Sequence, residues 1–299
     1  MSGTSSLAGT RALAIVNPVA GNGAGARVAR RIAADFRNHG LKLDVVLTPA
    51  PDEAARLARE AAADGYGVVV AAGGDGTANE VANGLVGSGA VLALYPIGVG
   101  NDFARALGYP RRTRDVAPFL RGARRRSIDV GELNGRVFVN AAGVGIDGHV
   151  AERSGASARV VGSALGHLGG ALVGLASFRP QPMRITLDGE ARSGAFLTVV
   201  AANGTHFGTG MRVAPEASLD DGQLDVLMVG DLSRWSSLVA LVKLYRGTHV
   251  DGRAIVLRRA RTVEIELERP LPAELDGEVT RGRRFSIRVR PRALEVLAR

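Results

Sequence analysis

The 299-residue chain contains no cysteine. That absence removes disulfides and thiolate metal sites, and it points to a cytoplasmic location, where disulfides are rare. The five histidines (His39, His149, His167, His206 and His249) are scattered and form no HExxH pattern, so nothing founds a histidine-built zinc site. Aromatic residues make up only 4% of a chain that is 46% hydrophobic, so its core must be aliphatic and rich in alanine. Lysine is nearly missing: Lys42 and Lys243 are the only two, and the net charge of +9 is carried by arginine. No uninterrupted apolar run is long enough to span a bilayer. The nearest, Val160 to Phe178, is broken by Gly162, Gly166, Gly169, Gly170 and Gly174 and carries His167, which leaves it able to lie against a membrane. Met1 to Thr10 is small and polar, lacks an apolar signal core and reads as a disordered lead-in. There are no internal repeats.

The most informative stretch is Gly73-Gly74-Asp75-Gly76-Thr77. Tyr66 to Ala72 before it is a valine-rich run that reads as a strand buried on both faces, and Ala78 to Val86 after it reads as a helix with Thr77 as N-cap. A strand-to-helix turn aims free N–H groups and the positive end of a helix dipole at one point, which suits a phosphate. Asp75 does not suit a bare anion site. An acid beside a phosphate implies a metal or a proton-transfer partner. A simple tight turn accounts for the glycines but not for Asp75.

In chain order, Arg11 to Pro18 reads as the first strand, followed by the glycine-rich loop NPVAGNGAG and a helix over Ala26 to His39, with Gly40 past its end. No Gly-Lys-Ser/Thr closes that loop, so it is not a Walker A motif. Leu41 to Thr48 is the second strand. Pro51, Asp52 and Glu53 open a helix that runs to Asp64. Val91 to Tyr95 is a fourth strand, and Pro96 to Arg105 leads through Gly98 into a helix capped by Asn101 or Asp102. The alternation predicts a doubly wound parallel sheet whose loops Asn17 to Gly25, Gly73 to Thr77 and Gly98 to Asp102 converge on one crevice. Arg111, Arg112, Arg114, Arg121, Arg124, Arg125 and Arg126 then cluster. Such a surface favours anionic partners, or is a solvated face; without interleaved aromatics it does not suit nucleic acid.

The pattern changes near Ser127. Ser127 to Val139 reads as two strands around Asn134-Gly135, a type I′ hairpin signal, and Asp188-Gly189 separates Met183–Leu187 from Ala195–Ala202. Leu224 to Val229, Ala254 to Arg258, Thr262 to Leu267 and Phe285 to Arg290 also read as strands, with an amphipathic helix over Arg234 to Arg246. Residues 11–126 therefore form an α/β domain and 127–290 a mostly antiparallel β domain, with 291–299 returning to the first. Two acid clusters stand out: Ser218 to Asp225 (SLDDGQLD) and Leu275 to Glu278 (LDGE). The first suits a hard divalent ion and the second a proton acceptor, although each alone also reads as an ordinary turn.

Together NPVAG, GGDGTANE, PIGVGNDFAR, FVNAAGVGIDGHV, MRVAPEASLDDGQLDV and LDGE resemble, in order, the diacylglycerol kinase catalytic-domain family, the soluble bacterial lipid kinases related to diacylglycerol and sphingosine kinases. The resemblance covers nearly the whole chain. GGDGT is shared with NAD kinases, whereas NDFAR, APEA with DDG, and the late LDGE are specific to the lipid kinases. It implies a nucleotide-binding α/β domain, a C-terminal β-sandwich, and ATP and Mg²⁺ as cofactors. ATP would meet Asn17, Pro18 and Gly21, Thr48, then Gly73, Gly74, Asp75, Gly76, Thr77 and Asn79, and Gly98, Asn101 and Asp102. Mg²⁺ would be held by Asp221 with the carbonyls of Ser218 and Gln223, and joined to the nucleotide through water by Asp75 and Asp102. Asp276 and Glu278 stand where the family places its general base, Glu278 foremost. The one departure is Val99, where the family usually has threonine; a lost hydroxyl contact is worth roughly 0.5–3 kcal/mol.

The expected function is phosphoryl transfer from ATP to a lipid hydroxyl, with a lipid substrate, peripheral contact with anionic membrane, a homodimer and no nucleic acid as the partners to test. The alternatives are an NAD kinase-like enzyme and a nucleotide- or lipid-binding regulator with little turnover. The Val160–Phe178 segment and the helix Trp235 to Tyr245 are candidates for an acyl pocket or membrane face, or plain core packing.

Overall fold

Strands without polar alternation need cover on both faces, and the first half of the chain supplies it. In the computed structural model, which describes residues 9–155, 173–175 and 177–299, β1 (Ala12–Val16), β2 (Asp44–Leu47), β3 (Val68–Gly73) and β4 (Val91–Pro96) pair in parallel in the order β2-β1-β3-β4. All six positions of β3 and of β4 are buried. Helices α1 (Ala20–Ala29), α2 (Ile32–Arg37), α3 (Ala54–Ala63) and α4 (Asp75–Leu85) connect the strands, and α5 (Asp102–Ala106) and α6 (Val116–Gly122) follow β4. The order reverses direction between β1 and β3. The carboxyl ends of strands flanking such a switch point form the ligand crevice of open α/β sheets. Residues up to Ile128, joined by Arg292–Arg299, make one unit, and Asp129–Pro291 make the other.

Several local expectations need correction. The helix expected over Ala26 to His39 is two helices, and the first takes in the glycine-rich stretch. The chain leaves helical geometry at Arg31 (φ −124°), and both Ile32 and Phe36 beyond the break reach full burial. The second strand is only Asp44–Leu47, because the Leu41 N–H closes α2 on the Phe36 carbonyl at 3.0 Å. Asp52 turns through positive φ (65°), so Pro51 to Glu53 precede α3 instead of forming its first turn, and the Ala54 N–H donates to the Glu80 carboxylate at 3.0 Å. Helix α4 starts at Asp75 with Gly74 as N-cap; Thr77 lies inside it, its hydroxyl accepting from the Asn17 amide at 3.1 Å.

The second unit is antiparallel. Strand β5 (Arg124–Leu133) turns into β6 (Arg136–Phe138) through Asn134 (φ 48°) and Gly135 (φ 88°), the two positive angles a type I′ turn requires. Then come β7 (Ala141–Gly145), α7 (Ile146–Gly155), β8 (Gln181–Leu187) and β9 (Glu190–Ala202), the last two joined by Asp188-Gly189. The remainder is β10 (Leu224–Gly230), α8 (Arg234–Arg246), β11 (Ile255–Ala260), β12 (Thr262–Leu275) and β13 (Glu278–Ala298), whose residues from Arg292 onward belong to the first unit. Strand β12 is longer than the expected Thr262 to Leu267. Its register slips between Glu266 and Leu271, where Pro270 has no N–H to pair, and pairing resumes beyond. The pairings β7–β9, β9–β8, β8–β12 and β12–β7 close a ring, within which Phe138, Ile185, Val199, Val226, Val263 and Phe285 pack as a buried core. Most of Val160–Phe178 and of the lead-in Met1–Thr10 lies outside the described residues. Among the described residues no helix is long and apolar enough to cross a membrane.

Candidate active site

In the first unit the three loops expected to converge do so. The Asn17 N–H donates to the Ala72 carbonyl at 3.0 Å, its side chain reaches Thr77, and the Thr48 N–H bonds the Val16 carbonyl at 3.0 Å, so Asn17, Thr48 and the Gly73–Thr77 turn share one end of the sheet. Pro18 continues the same loop, and Asn17 Oδ1 accepts from the Val19 N–H at 3.1 Å. Two glycines permit close approaches between these loops. A Cβ on Gly98 would stand 2.6 Å from the Gly74 Cα, and one on Gly21 would stand 2.5 Å from the Ile97 carbonyl oxygen. The backbones of Gly73, Gly74 and Gly76 border this point, and Asn79 is buried one turn up α4. Val99, in the same loop as Gly98, is 44% exposed.

Asp75 and Asp102 are neighbours here. The Phe103 N–H donates to Asp75 Oδ1 at 3.0 Å, so Asp75 tethers the start of α5. Asn101 is left-handed (φ 48°) and its amide donates to the Gly98 carbonyl at 2.6 Å; it precedes α5 without capping it through its side chain. Asp102 is buried, 3.6 Å from the Arg105 guanidinium. Burial first, and then the Asp102 charge, raise the Asp75 carboxyl above the ordinary range, against the N–H groups of Phe103, Asp102 and Asn101. Two close carboxylates are a natural seat for a cation.

In the second unit the two acid turns are organised differently. Asp276, left-handed at φ 45°, is 4% exposed. Its carboxylate accepts from the N–H groups of Val139 at 2.6 Å, Asn140 at 3.1 Å and Ala141 at 3.0 Å. It braces the entry to β7. Glu278, at the start of β13, has a side chain 19% exposed and ion-paired with Arg136. In the other turn Asp221 accepts from the Gln223 N–H at 3.0 Å, and the Ser218 hydroxyl donates to Asp220 at 2.8 Å. Among the described residues no three acids or histidines cluster as a metal cage.

Sequence reasoning missed the residues that hold these turns. Fully buried Asp129 accepts from the Gly222 N–H at 2.6 Å, and its own N–H donates to Leu219. Buried Asn203 donates to the carbonyls of both Asp129 and Val139 at 2.9 Å. A continuous polar network therefore runs from the Asp221 turn through Asp129, Asn203 and Val139 to Asp276. The only sequence signal was the presence of polar residues within or directly after apolar strands.

The second unit also contains an apolar cavity of roughly 340 Å³ beneath α8. Val200, Phe207, Leu227, Leu241 and Leu244 contribute to its wall, and Glu274 and Gly277 bring the LDGE turn to it. Glu274 accepts from the Gly277 N–H at 2.8 Å. Two polar groups, half-buried Asp147 and buried His249, interrupt the wall. Burial raises the Asp147 carboxyl, although the Thr198 hydroxyl donates to it, and burial holds His249 below its usual range.

Residues 11–133 match the model of the diacylglycerol kinase catalytic domain, and 140–298 that of the YegS C-terminal NAD kinase beta sandwich-like domain. The chain is 31% identical to a diacylglycerol kinase of Bacillus subtilis, over 90% of this chain and 89% of that one. It is 35% identical to a "Probable lipid kinase YegS-like" of Pseudomonas aeruginosa, over 92% and 91%. A crystal structure of a diacylglycerol kinase from Bacillus anthracis shares the fold with a TM-score of 0.75 at 22% identity, covering 97% of each chain. The chain belongs to the family of lipid kinases built on the diacylglycerol kinase catalytic domain.

Proposed function

We propose that the chain transfers the γ-phosphoryl group of ATP to the hydroxyl of a lipid, diacylglycerol being the first substrate to test. The observation that carries this reading is the apolar cavity whose lining includes Glu274 and Gly277, beside the acid turn. Such a cavity suits an acyl chain, and its lining reaches Gly277, the residue next to Glu278.

Glu278 is the proton acceptor, oriented by its ion pair with Arg136. The lipid oxygen forms its bond to the γ-phosphorus as the bond to the β–γ bridging oxygen breaks, ADP leaves, and the hydroxyl proton passes to Glu278. Asp276 is a positioning residue, since backbone N–H groups already occupy its carboxylate. N–H groups at the Gly73–Thr77 turn and the start of α4 bind phosphate oxygens. In the second unit the oxygen-only set of Asp221 with the Ser218 and Gln223 carbonyls suits Mg²⁺, which keeps several waters, and in the first unit the carboxylates of Asp75 and Asp102 suit hydrogen bonds to water on a nucleotide-bound Mg²⁺. Bound Mg²⁺ would neutralise charge on the transferred group.

The test is transfer of labelled phosphate from ATP to a panel of lipids in mixed micelles, with NAD and a no-lipid control beside them. Label in one lipid class is expected. Label in NAD alone, or in nothing while ATP binds, overturns the reading.

A further inference from the structure

A helix on a protein surface ordinarily pairs an apolar stripe facing the core with a polar outer face. Helix α8 does not. Its inner side sends Ser237, Ala240, Leu241 and Leu244 to the cavity wall. Its outer side is also apolar: Trp235 is 74% exposed, Val242 53%, Val239 39% and Leu238 37%. At about 100° per residue these four fall within an arc of about 100°. The helix is well formed at both ends. Ser233 caps it by accepting from the Ser236 N–H at 3.1 Å, and Gly247 closes it in the left-handed conformation (φ 70°). The exposed stripe therefore belongs to a finished helix and not to a frayed segment.

The charges beside the stripe are of one sign. Arg234 and Lys243 lie at its two edges, Arg246 lies at its C-terminal end, and the helix carries no acid. We propose that the outer face of α8 docks on an anionic lipid bilayer, with Trp235, Leu238, Val239 and Val242 entering the acyl boundary and the three cations meeting the headgroups. With 13 residues the helix is about 20 Å long, too short to cross the hydrocarbon but suited to lying in its surface. A second copy of the chain fits less well, because a two-fold contact through this face would bring the cations Arg234, Lys243 and Arg246 of one copy against those of the other with no acid on either helix. The proposal deepens the lipid-kinase reading, and rests on it for what enters the cavity. One helix would then have a bilayer on its outer side and the acyl-chain cavity on its inner side, giving the lipid a short path between them.

The chain supplies its own reporter, since Trp235 is its only tryptophan. On addition of vesicles of phosphatidylglycerol and phosphatidylcholine to the full chain, its emission should shift to the blue and be quenched by lipids brominated on the acyl chains. Phosphatidylcholine alone should give a weaker response, and added salt should reduce the anionic one. The double variant Val239→Glu and Val242→Glu keeps the reporter and alters exposed positions outside the cavity wall. It should lose about tenfold or more of its vesicle affinity, while turnover on detergent-dispersed lipid stays unchanged. Binding to vesicles with unmoved Trp235 emission would overturn the proposal, as would no binding at all. A blue shift that grows with protein concentration without lipid, together with a dimer in sedimentation equilibrium, would assign the face to a second copy instead. If Trp235 inserts but no lipid is phosphorylated in detergent, the docking face stands and the lipid-kinase reading falls.

Discussion

The two units present their candidate chemistry in opposite ways. In the first, the surface proposed to meet phosphate is made of backbone. Glycines let Gly98 come against Gly74 and Gly21 against Ile97, and the strand order brings the loops after β1 and β3 together. In the second, the candidate groups are side chains, each held by a partner far away in sequence: Asp276 by Val139 to Ala141, the Asp221 turn by Asp129, and Glu278 by Arg136. A backbone site depends on what is missing from the side chains around it. A side-chain site depends on the network behind it.

That contrast predicts which substitutions hurt, and in what way. The largest effect should come from Glu278→Gln, which keeps the shape of the side chain but removes the proton acceptor. A loss of about 10²–10⁴-fold in kcat is expected, with thermal stability close to unchanged. Asp276→Asn should do the reverse in part. An amide cannot accept all the N–H groups that now meet the carboxylate, so the unit loses about 1–3 kcal/mol and any loss of rate accompanies a lower Tm. Paired kinetics and thermal melts of the two variants separate proton acceptor from brace, and a full rate in Glu278→Gln would end the assignment.

Next comes Gly98→Ala. Its Cβ would press on the Gly74 Cα at 2.6 Å, and overpacking of this kind costs about 1–3 kcal/mol, read here as roughly 5–150-fold weaker ATP binding by calorimetry. Unchanged ATP affinity would show that the loops do not form the nucleotide surface.

The smallest effect is a pH dependence in the second unit. Burial holds His249 below its ordinary pKa of 6.5, so at low pH the unfolded chain binds the proton more readily. The stability contributed by neutral His249 is complete above about pH 6.5 and declines as pH falls below that value toward the depressed folded pKa. Melts between pH 7 and pH 5 should show Tm falling, and His249→Leu should flatten that slope; an equal slope in both proteins would remove His249 as the cause.

What was legible in the sequence followed the same division. The valine run before GGDGT, the Asn134-Gly135 and Asp188-Gly189 turns and the limits of α8 are local signals, and the structure has them at those residues. The convergence of the glycine loops was legible too, because strand–helix alternation fixes which ends of the strands carry the loops. The departures came from distant partners. Glu80 finishes the start of α3 from 26 residues away, Asn17 donates to the hydroxyl of Thr77 inside α4, and Asp129 bonds Gly222 across 93 residues. No window along the chain contains both members of those pairs. The cavity was hidden for the same reason, since its wall draws on α7, β9, β10 and α8 together.

Strand β13 has a bearing on how the molecule is made. It begins beside the LDGE turn, and its far end sets Glu295 and Val296 against Val91 and Leu92 of β4, while the Tyr109 hydroxyl donates to the Leu297 carbonyl at 2.8 Å. The parallel sheet of the first unit is thus begun by early residues and completed only after the whole of the other unit has left the ribosome. A nascent chain released before that point would carry β4 with this edge uncovered, an open template for pairing with other chains. The order of synthesis delays the finishing of the first unit until the acid turn has also been made, so a chain cut short between them would have neither a complete sheet nor a protected edge.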